Sequence, residues 1–351
     1  MTNRRAALIG ISAIGVFALT AVVPTSAQQA AKSKAPTGQP YKAPRLADGR
    51  PDLQGVWDYR SITPLEVPDA VAGKTVYTDE EAAEVEQRAK SRNQDRRDGA
   101  GTDADVGRAY NDFWWDFGKT LTTKRTSLIV DPADGKLPPM TDAGKQRVAQ
   151  RGGAFAGGGG GAAQGARGGE GGGPRRGSDS WLDRSTWERC LTFGAVPRLS
   201  GAYNNNFSIF QGSDAVVIQY EMIHENRIIP TDGRPHTNIK QWLGDSRGHF
   251  EGDTLVVETT NFRPDLGFRG ASEQMKLTER FTRTGPDSML YEFTVSDPAT
   301  WTKPWTAQVP ILKNPEPMYE YACHEGNYGM VGILAGARAL EKAAAAKKGS
   351  N

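Results

Sequence analysis

The chain has 351 residues, 43 of them basic and 41 acidic, with four histidines and a formal net charge of +2. That balance, without a basic face or run, argues against nucleic acid or an anionic membrane surface as a partner. Only two cysteines are present, Cys190 and Cys323, too few and too far apart for a zinc site by spacing.

Arg4 and Arg5 precede an apolar run from Ala6 to Val23, and Thr25-Ser26-Ala27 supplies small residues for cleavage. This pattern predicts a secretory signal peptide over residues 1–27, cut after Ala27. An uncleaved membrane anchor is the alternative, disfavoured by Gly10, Ser12 and Gly15 within the run. The arginine pair only loosely resembles a twin-arginine signal, so the Sec route is preferred. The expected location is periplasmic or secreted, with no membrane insertion after cleavage. Loss of residues 1–27 removes two arginines and no acid, leaving equal numbers of the two signs. In an exported protein, an even cysteine count predicts a Cys190–Cys323 disulfide. Two buried free thiols are the other reading.

Residues 28–47 read as an extended N-terminal segment, and a single β-rich domain is expected over 48–351. A first strand is predicted at Leu53–Tyr59. Thr78-Asp-Glu-Glu81 is a capping box for a helix toward Arg96. Asn111–Phe117 is a dense aromatic cluster, including Trp114 and Trp115. A strand is expected at Arg125–Val130, ended by the turn Asp131-Pro-Ala-Asp-Gly135. Thr141 caps a short helix toward Arg151. Gly152–Gly173 is mostly glycine and alanine without periodicity. It cannot bury enough apolar area to offset its ordering entropy, so 152–180 reads as a disordered insert.

The remainder is mostly β. Strands are predicted at Phe207–Gln211, Ala215–Ile229, Ile239–Leu243, His249–Glu251, Thr254–Phe262, Lys276–Thr284, Met289–Ser296, Trp305–Leu312 and Tyr319–His324. Gly252-Asp253 is a two-residue hairpin turn and Gly285-Pro-Asp287 another turn. Short strands joined by tight turns predict an antiparallel meander, curled into a barrel or sandwich. An alanine-rich helix is expected over 331–348. Trp301 and Trp305 read as packing residues, and Glu279 and Arg283 share a strand face and suggest a network.

Several phrases carry a resemblance. They are Leu46-Ala-Asp-Gly-Arg-Pro-Asp-Leu-Gln-Gly-Val-Trp57, Tyr203-Asn-Asn-Asn206, Tyr220–Pro230, Gly244-Asp-Ser-Arg-Gly248, Glu251–Val257 and Tyr321-Ala-Cys-His-Glu-Gly326. Together they resemble a family of exported bacterial proteins of unassigned function, over most of the chain apart from the glycine insert. That resemblance implies cellular context and no chemistry. Separately, Gly55-Val-Trp57 is similar to the Gly-x-Trp that opens lipocalin-like barrels, which implies a fold only.

The chemistry centres on Glu221-Met-Ile-His-Glu-Asn-Arg-Ile-Ile229. As one continuous strand, it places Tyr220, Met222, His224, Asn226 and Ile228 on one face, with Glu221, Glu225 and Arg227 on the other. His224 and Asn226 would then lie on the apolar face, where polar groups need partners. The bland reading is a histidine that only fixes strand register. The sharper reading is acid–base turnover of a small organic molecule, in the lyase, hydrolase or isomerase class. His224 and His324 would exchange protons, with Glu225 and Tyr203 as catalytic partners. Asn205, Asn226, Arg227 and Arg234 would bind substrate. No cofactor is required; a variant makes His224, His236 and His324 ligands of zinc or a similar divalent metal. Competing readings are a non-catalytic small-ligand-binding barrel and an envelope interaction protein. No helical zinc motif, nucleophile elbow, phosphate loop or dinucleotide fingerprint is present.

Overall fold

The structure, a computed structural model, describes residues 41–92, 116–150, 178–201, 203–264 and 267–349. In chain order its elements are β1 (Gly55–Asp58), α1 (Asp79–Arg92), β2 (Ile129–Asp131), α2 (Asp142–Gln150), β3 (Asn206–Gln211), β4 (Ala215–Tyr220) and β5 (Asn226–Pro230). There follow β6 (Asp245–Glu251), β7 (Thr254–Thr260), β8 (Lys276–Gly285), β9 (Ser288–Ser296), β10 (Trp305–Lys313) and α3 (Tyr328–Gly349). The predicted signal peptide, the segment to residue 40, Trp114 and Trp115, and Gly152–Gly173 lie outside the described residues.

The strands form one antiparallel sheet in the order β5-β4-β3-β1-β10-β9-β8-β7-β6, with β2 added to β10. An odd ring of antiparallel strands must meet itself between two strands that run the same way. Here those strands are β5 and β6, and no backbone ladder joins them among the described residues. Side chains close the seam instead. Arg227 on β5 donates through Nε to Ser246 Oγ on β6 at 3.0 Å. A Cβ on Gly248 of β6 would stand 2.8 Å from Ile229 Cγ2, so only glycine permits this approach. The product is a nearly closed antiparallel barrel, as the strand spacing and the Gly55-Val-Trp57 opening predict.

Period-2 alternation fills the interior. β8 turns Leu277, Glu279 and Phe281 inward, β9 turns Met289, Tyr291, Phe293 and Val295, and β10 turns Trp305, Ala307, Val309 and Ile311. Ring contacts run without a break through Tyr59, Phe207, Phe281, Tyr291, Phe293, Trp305 and Trp301. Each such pair contributes about 0.5–1.5 kcal/mol beyond burial. Trp57 is fully buried and donates from Nε1 to Leu53 O at 2.9 Å.

Both predicted helix caps form. Thr78 N donates to Glu81 Oε2 at 3.0 Å, and Glu81 N to Thr78 Oγ1 at 3.2 Å. Gly144 N donates to Thr141 Oγ1 at 3.0 Å at the start of α2. Cys190 and Cys323 are joined as a disulfide. No helix among the described residues is long and apolar enough to cross a membrane.

Three expected strands differ. Ala215–Ile229 is not continuous: β4 and β5 pair as a hairpin, Ala215 opposite Pro230 and Gln219 opposite Asn226. Ile239–Leu243 makes only an isolated parallel bridge, Gln241 to Phe262, because the chain turns at Gly244, whose φ is +74°. Tyr319–His324 is irregular. Pro315 and Pro317 just before it lack backbone donors, and the disulfide holds it against a loop instead of a sheet. Asp245 and Ser246 begin β6 and are buried.

Candidate functional site

The hairpin turn between β4 and β5 changes the chemistry predicted for this stretch. Met222–His224 form one 3-10 turn, with Ile223 at φ +61° and His224 at φ +41°. For a β-branched residue such as Ile223, the left-handed region is an outlier that costs on the order of 1–3 kcal/mol and marks a constrained position. Three backbone bonds hold the turn: Tyr220 N to Glu225 O, Glu221 N to Asn206 O and His224 N to Glu221 O.

Folding back at this point reverses the predicted faces. Tyr220 stays inward, but Arg227 turns into the barrel and Asn226 and Ile228 turn to solvent. Arg227 was expected to hold a substrate anion. Instead it is 3% exposed. Its Nη1 donates to Glu279 Oε1 at 3.0 Å and its Nη2 to Thr259 Oγ1 at 2.6 Å, with a further Nη2 contact to Glu279. The Tyr291 hydroxyl donates to Glu279 Oε1 at 2.7 Å. Burial opposes the Arg227 charge, but Glu279, Tyr220 and Tyr291 outweigh it and raise its pKa. Burial raises the Tyr220 and Tyr291 phenols in turn. Arg227 is thus the cation of an internal polar belt. The expected Glu279–Arg283 network does not form: Arg283 donates to Asp52 O at 3.2 Å and to Pro286 O.

A second polar group lies at the barrel end where β1 finishes and β4 turns into β5. His224 is half-buried there, and its Nδ1 meets the carbonyl oxygen of Tyr321 at 2.8 Å. A carbonyl oxygen only accepts, so Nδ1 carries a proton, and the tautomer this selects has its lone pair at Nε2. Nε2 has no protein partner among the described residues. Glu225 is bound by Arg198, which is buried and lies 5.3 Å from the Tyr220 ring and 5.5 Å from the Phe193 ring. The Nε of Arg198 is shielded and unpaired. Glu221 is buried, and its carboxylate accepts from Asn206 Nδ2 at 2.8 Å. Burial raises the Tyr59 phenol; Arg198 opposes this, and Tyr220, Glu221 and Asp58 reinforce it. Tyr59, Tyr220, Arg198 and Glu221 therefore share one electrostatic neighbourhood.

The structure brings His224, Glu225 and the Tyr321–His324 segment to this end and leaves other candidates apart. His324 is exposed, two residues beyond Ala322 and next to the disulfide. Tyr203 is half-buried nearby in the chain. Asn205 is spent on structure: Nδ2 donates to Asp116 O and Gly201 O, and Oδ1 accepts from Gly201 N. Asn226 reaches only the His224 carbonyl, at 3.3 Å. Arg234 pairs with Asp232 in solvent and lowers that carboxyl to about 2. His236 Nδ1 is 3.5 Å from Asp245 Oδ2, and His249 Nε2 is 3.1 Å from Glu251 Oε1. Among the described residues no three His, Cys, Asp or Glu side chains gather as a metal site. The three histidines of the zinc variant are not assembled.

Sequence reasoning missed Arg198, Glu221 and Tyr59. Only Glu221 left a signal, a carboxylate beside a histidine within an otherwise apolar run. A separate cleft of about 420 Å³, lined by Thr260, Asn261, Glu273, Lys276 and Ser296 among others, contains none of the sequence candidates. Comparison with known proteins finds no matching family model, no similar curated protein and no similar solved structure.

Proposed function

We propose that this is an exported enzyme that turns over a small organic molecule by acid–base chemistry, with His224 Nε2 as the proton carrier. One observation carries the reading. A half-buried histidine sits on a strained turn with one ring nitrogen committed to a carbonyl and the other open. Glu221 is the buried carboxylate on the same turn. Tyr59 is a phenol raised by burial, which keeps it protonated and able to donate a hydrogen bond to developing negative charge. Arg198 holds Glu225 in place and orders the turn. The disulfide fits an oxidising compartment, and export through a signal peptide cleaved after Ala27 is part of this proposal.

Binding without turnover is the second reading, favoured by the pairing of Glu225 with Arg198, which leaves His224 without a charged partner. His224→Asn separates the two. Asparagine accepts the left-handed backbone and its amide keeps the donor to Tyr321 O, while the proton carrier is lost. A library of small carboxylic acids, esters and lactones is assayed for product and for thermal stabilisation. Catalysis predicts a fall in kcat of about 100- to 10,000-fold in the variant, with ligand stabilisation retained. Stabilisation without product in the native protein would favour the binding reading. Product formed equally by both proteins would remove His224 from the chemistry.

A further inference from the structure

At the same barrel end, the β7–β8 connection carries a second unusual residue. Phe268–Gly270 form a 3-10 turn in which Arg269 has φ +50° and Gly270 φ +86°. The turn is clamped against α2. A Cβ on Gly270 would lie 2.4 Å from Val148 Cγ2, and Arg147 Nε donates to Gly270 O at 3.1 Å. Phe268 is buried and stacks on Trp305 at 6.2 Å. With its neighbours on both sides fixed, Arg269 is held in a backbone conformation that non-glycine residues seldom adopt.

Its guanidinium has no hydrogen bond or ion pair among the described residues, and its Nε is fully shielded without a partner. The side chain is only half-buried, so a path from solvent reaches it. Contrast Arg147, packed on the same turn, which also donates to Ala299 O and Thr300 Oγ1. The nearest aid is the Phe268 ring, 5.9 Å from the guanidinium carbon, which offers no acceptor to five N–H groups. Burial lowers the Arg269 pKa and only Glu66 opposes it; the Glu66 carboxylate itself accepts from Leu137 N at 2.9 Å. Only Nε is shielded; a buried donor left without an acceptor is costly unless something supplies one, and the solvent side of the fork is free to receive it.

We propose that Arg269 anchors a binding site for a small oxyanion, a carboxylate or a phosphate, between the β7–β8 turn and the loop bearing Glu66. The planar fork of arginine binds either group through two parallel hydrogen bonds. The proposal does not depend on acid–base chemistry at His224.

Thermal unfolding of the full chain tests it in low-salt Tris–chloride, with sodium acetate, sodium phosphate or matched sodium chloride added. The native protein should gain about 5 °C in Tm at an anion concentration near one hundred times Kd, beyond any change with chloride. Response to acetate alone or phosphate alone identifies the group. Arg269→Met should abolish the gain, and in the absence of added anion it should melt no lower than the native protein, because a shielded donor without an acceptor has been removed. Arg269→Lys, which keeps the charge and loses the fork, should weaken the response at least tenfold in concentration; it serves also if the methionine variant fails to fold. Equal effects of chloride, or an unchanged response in either variant, would overturn the proposal.

Discussion

Arg227→Met is the most informative single perturbation of the barrel. The substitution keeps much of the side-chain volume and removes the charge. It leaves Glu279, which has no solvent exposure, with the Tyr291 hydroxyl as its remaining donor. Removing one partner of a buried pair costs about 3–5 kcal/mol, because the other charge stays buried. Ser246 and Thr259 also lose a partner, although they retain their mutual contact at 3.1 Å, so they add little. The seam loses its Arg227–Ser246 tie as well, which places the expected cost toward the upper end of that range. Urea unfolding should show a lower midpoint with an unchanged slope. Arg227→Met combined with Glu279→Gln removes both charges and should recover a large part of the loss, giving a coupling of about 2 kcal/mol or more in a double-mutant cycle. A single-variant cost below about 1 kcal/mol, or a double variant no more stable than the single, would refute the structural role assigned to Arg227. A stable Arg227→Met protein that had lost ligand binding would restore the substrate-binding role expected from the sequence.

Two further outcomes are expected. Replacing Cys190 and Cys323 together by serine, or reducing their disulfide, reopens a loop with a sequence separation of 133 residues; the loop-entropy argument allows a loss of up to about 5 kcal/mol, and an unchanged melting temperature with reductant would contradict it. Burial alone would raise the Asp245 pKa, but the Thr237 amide and the Arg247 guanidinium outweigh it and hold the carboxyl below its usual value of 3.8. A depressed folded-state pKa contributes stability that is present above pH 3.8 and lost as pH falls through the folded value; Asp245→Asn should therefore flatten the stability profile below about pH 4, and an identical acid limb in the variant would refute the assignment.

The barrel was legible because its information is local. Alternation over Lys276–Thr284 and Met289–Ser296, with Gly285-Pro-Asp287 between them, specifies a hairpin whichever strands lie beside it. The capping box at Thr78 and the turn at Gly252-Asp253 are equally short-range. The β4–β5 hairpin was hidden for the converse reason. Its reversal uses Ile223 and His224 in left-handed conformations, with no glycine, proline or Asn-Gly pair to announce it. One unannounced turn exchanged the faces of the following strand, so Arg227 read as lying opposite the apolar face and Asn226 as lying on it. Arg198 was invisible because it comes from a loop 27 residues away from its partner Glu225, and no periodicity links the two.

The same hairpin explains why the proposed site lies at this end. The interior is filled by aromatic rings and by a polar belt whose charges are paired, so the proposed ligand would be met at the barrel end and not within it. β5, like β6, has a ladder on one side only among the described residues, since the odd ring leaves the β5–β6 seam without backbone bonds. A strained turn next to such a strand needs restraint from outside the sheet. Arg198 supplies it through Glu225, and Tyr321 supplies it through the His224 ring. Tyr321 lies on an irregular segment two residues before Cys323, whose disulfide to Cys190 ties that segment to the loop preceding Arg198. Both restraints on the turn therefore come from segments that the one covalent crosslink joins, and the His224 ring is oriented by a carbonyl that no strand pairing positions.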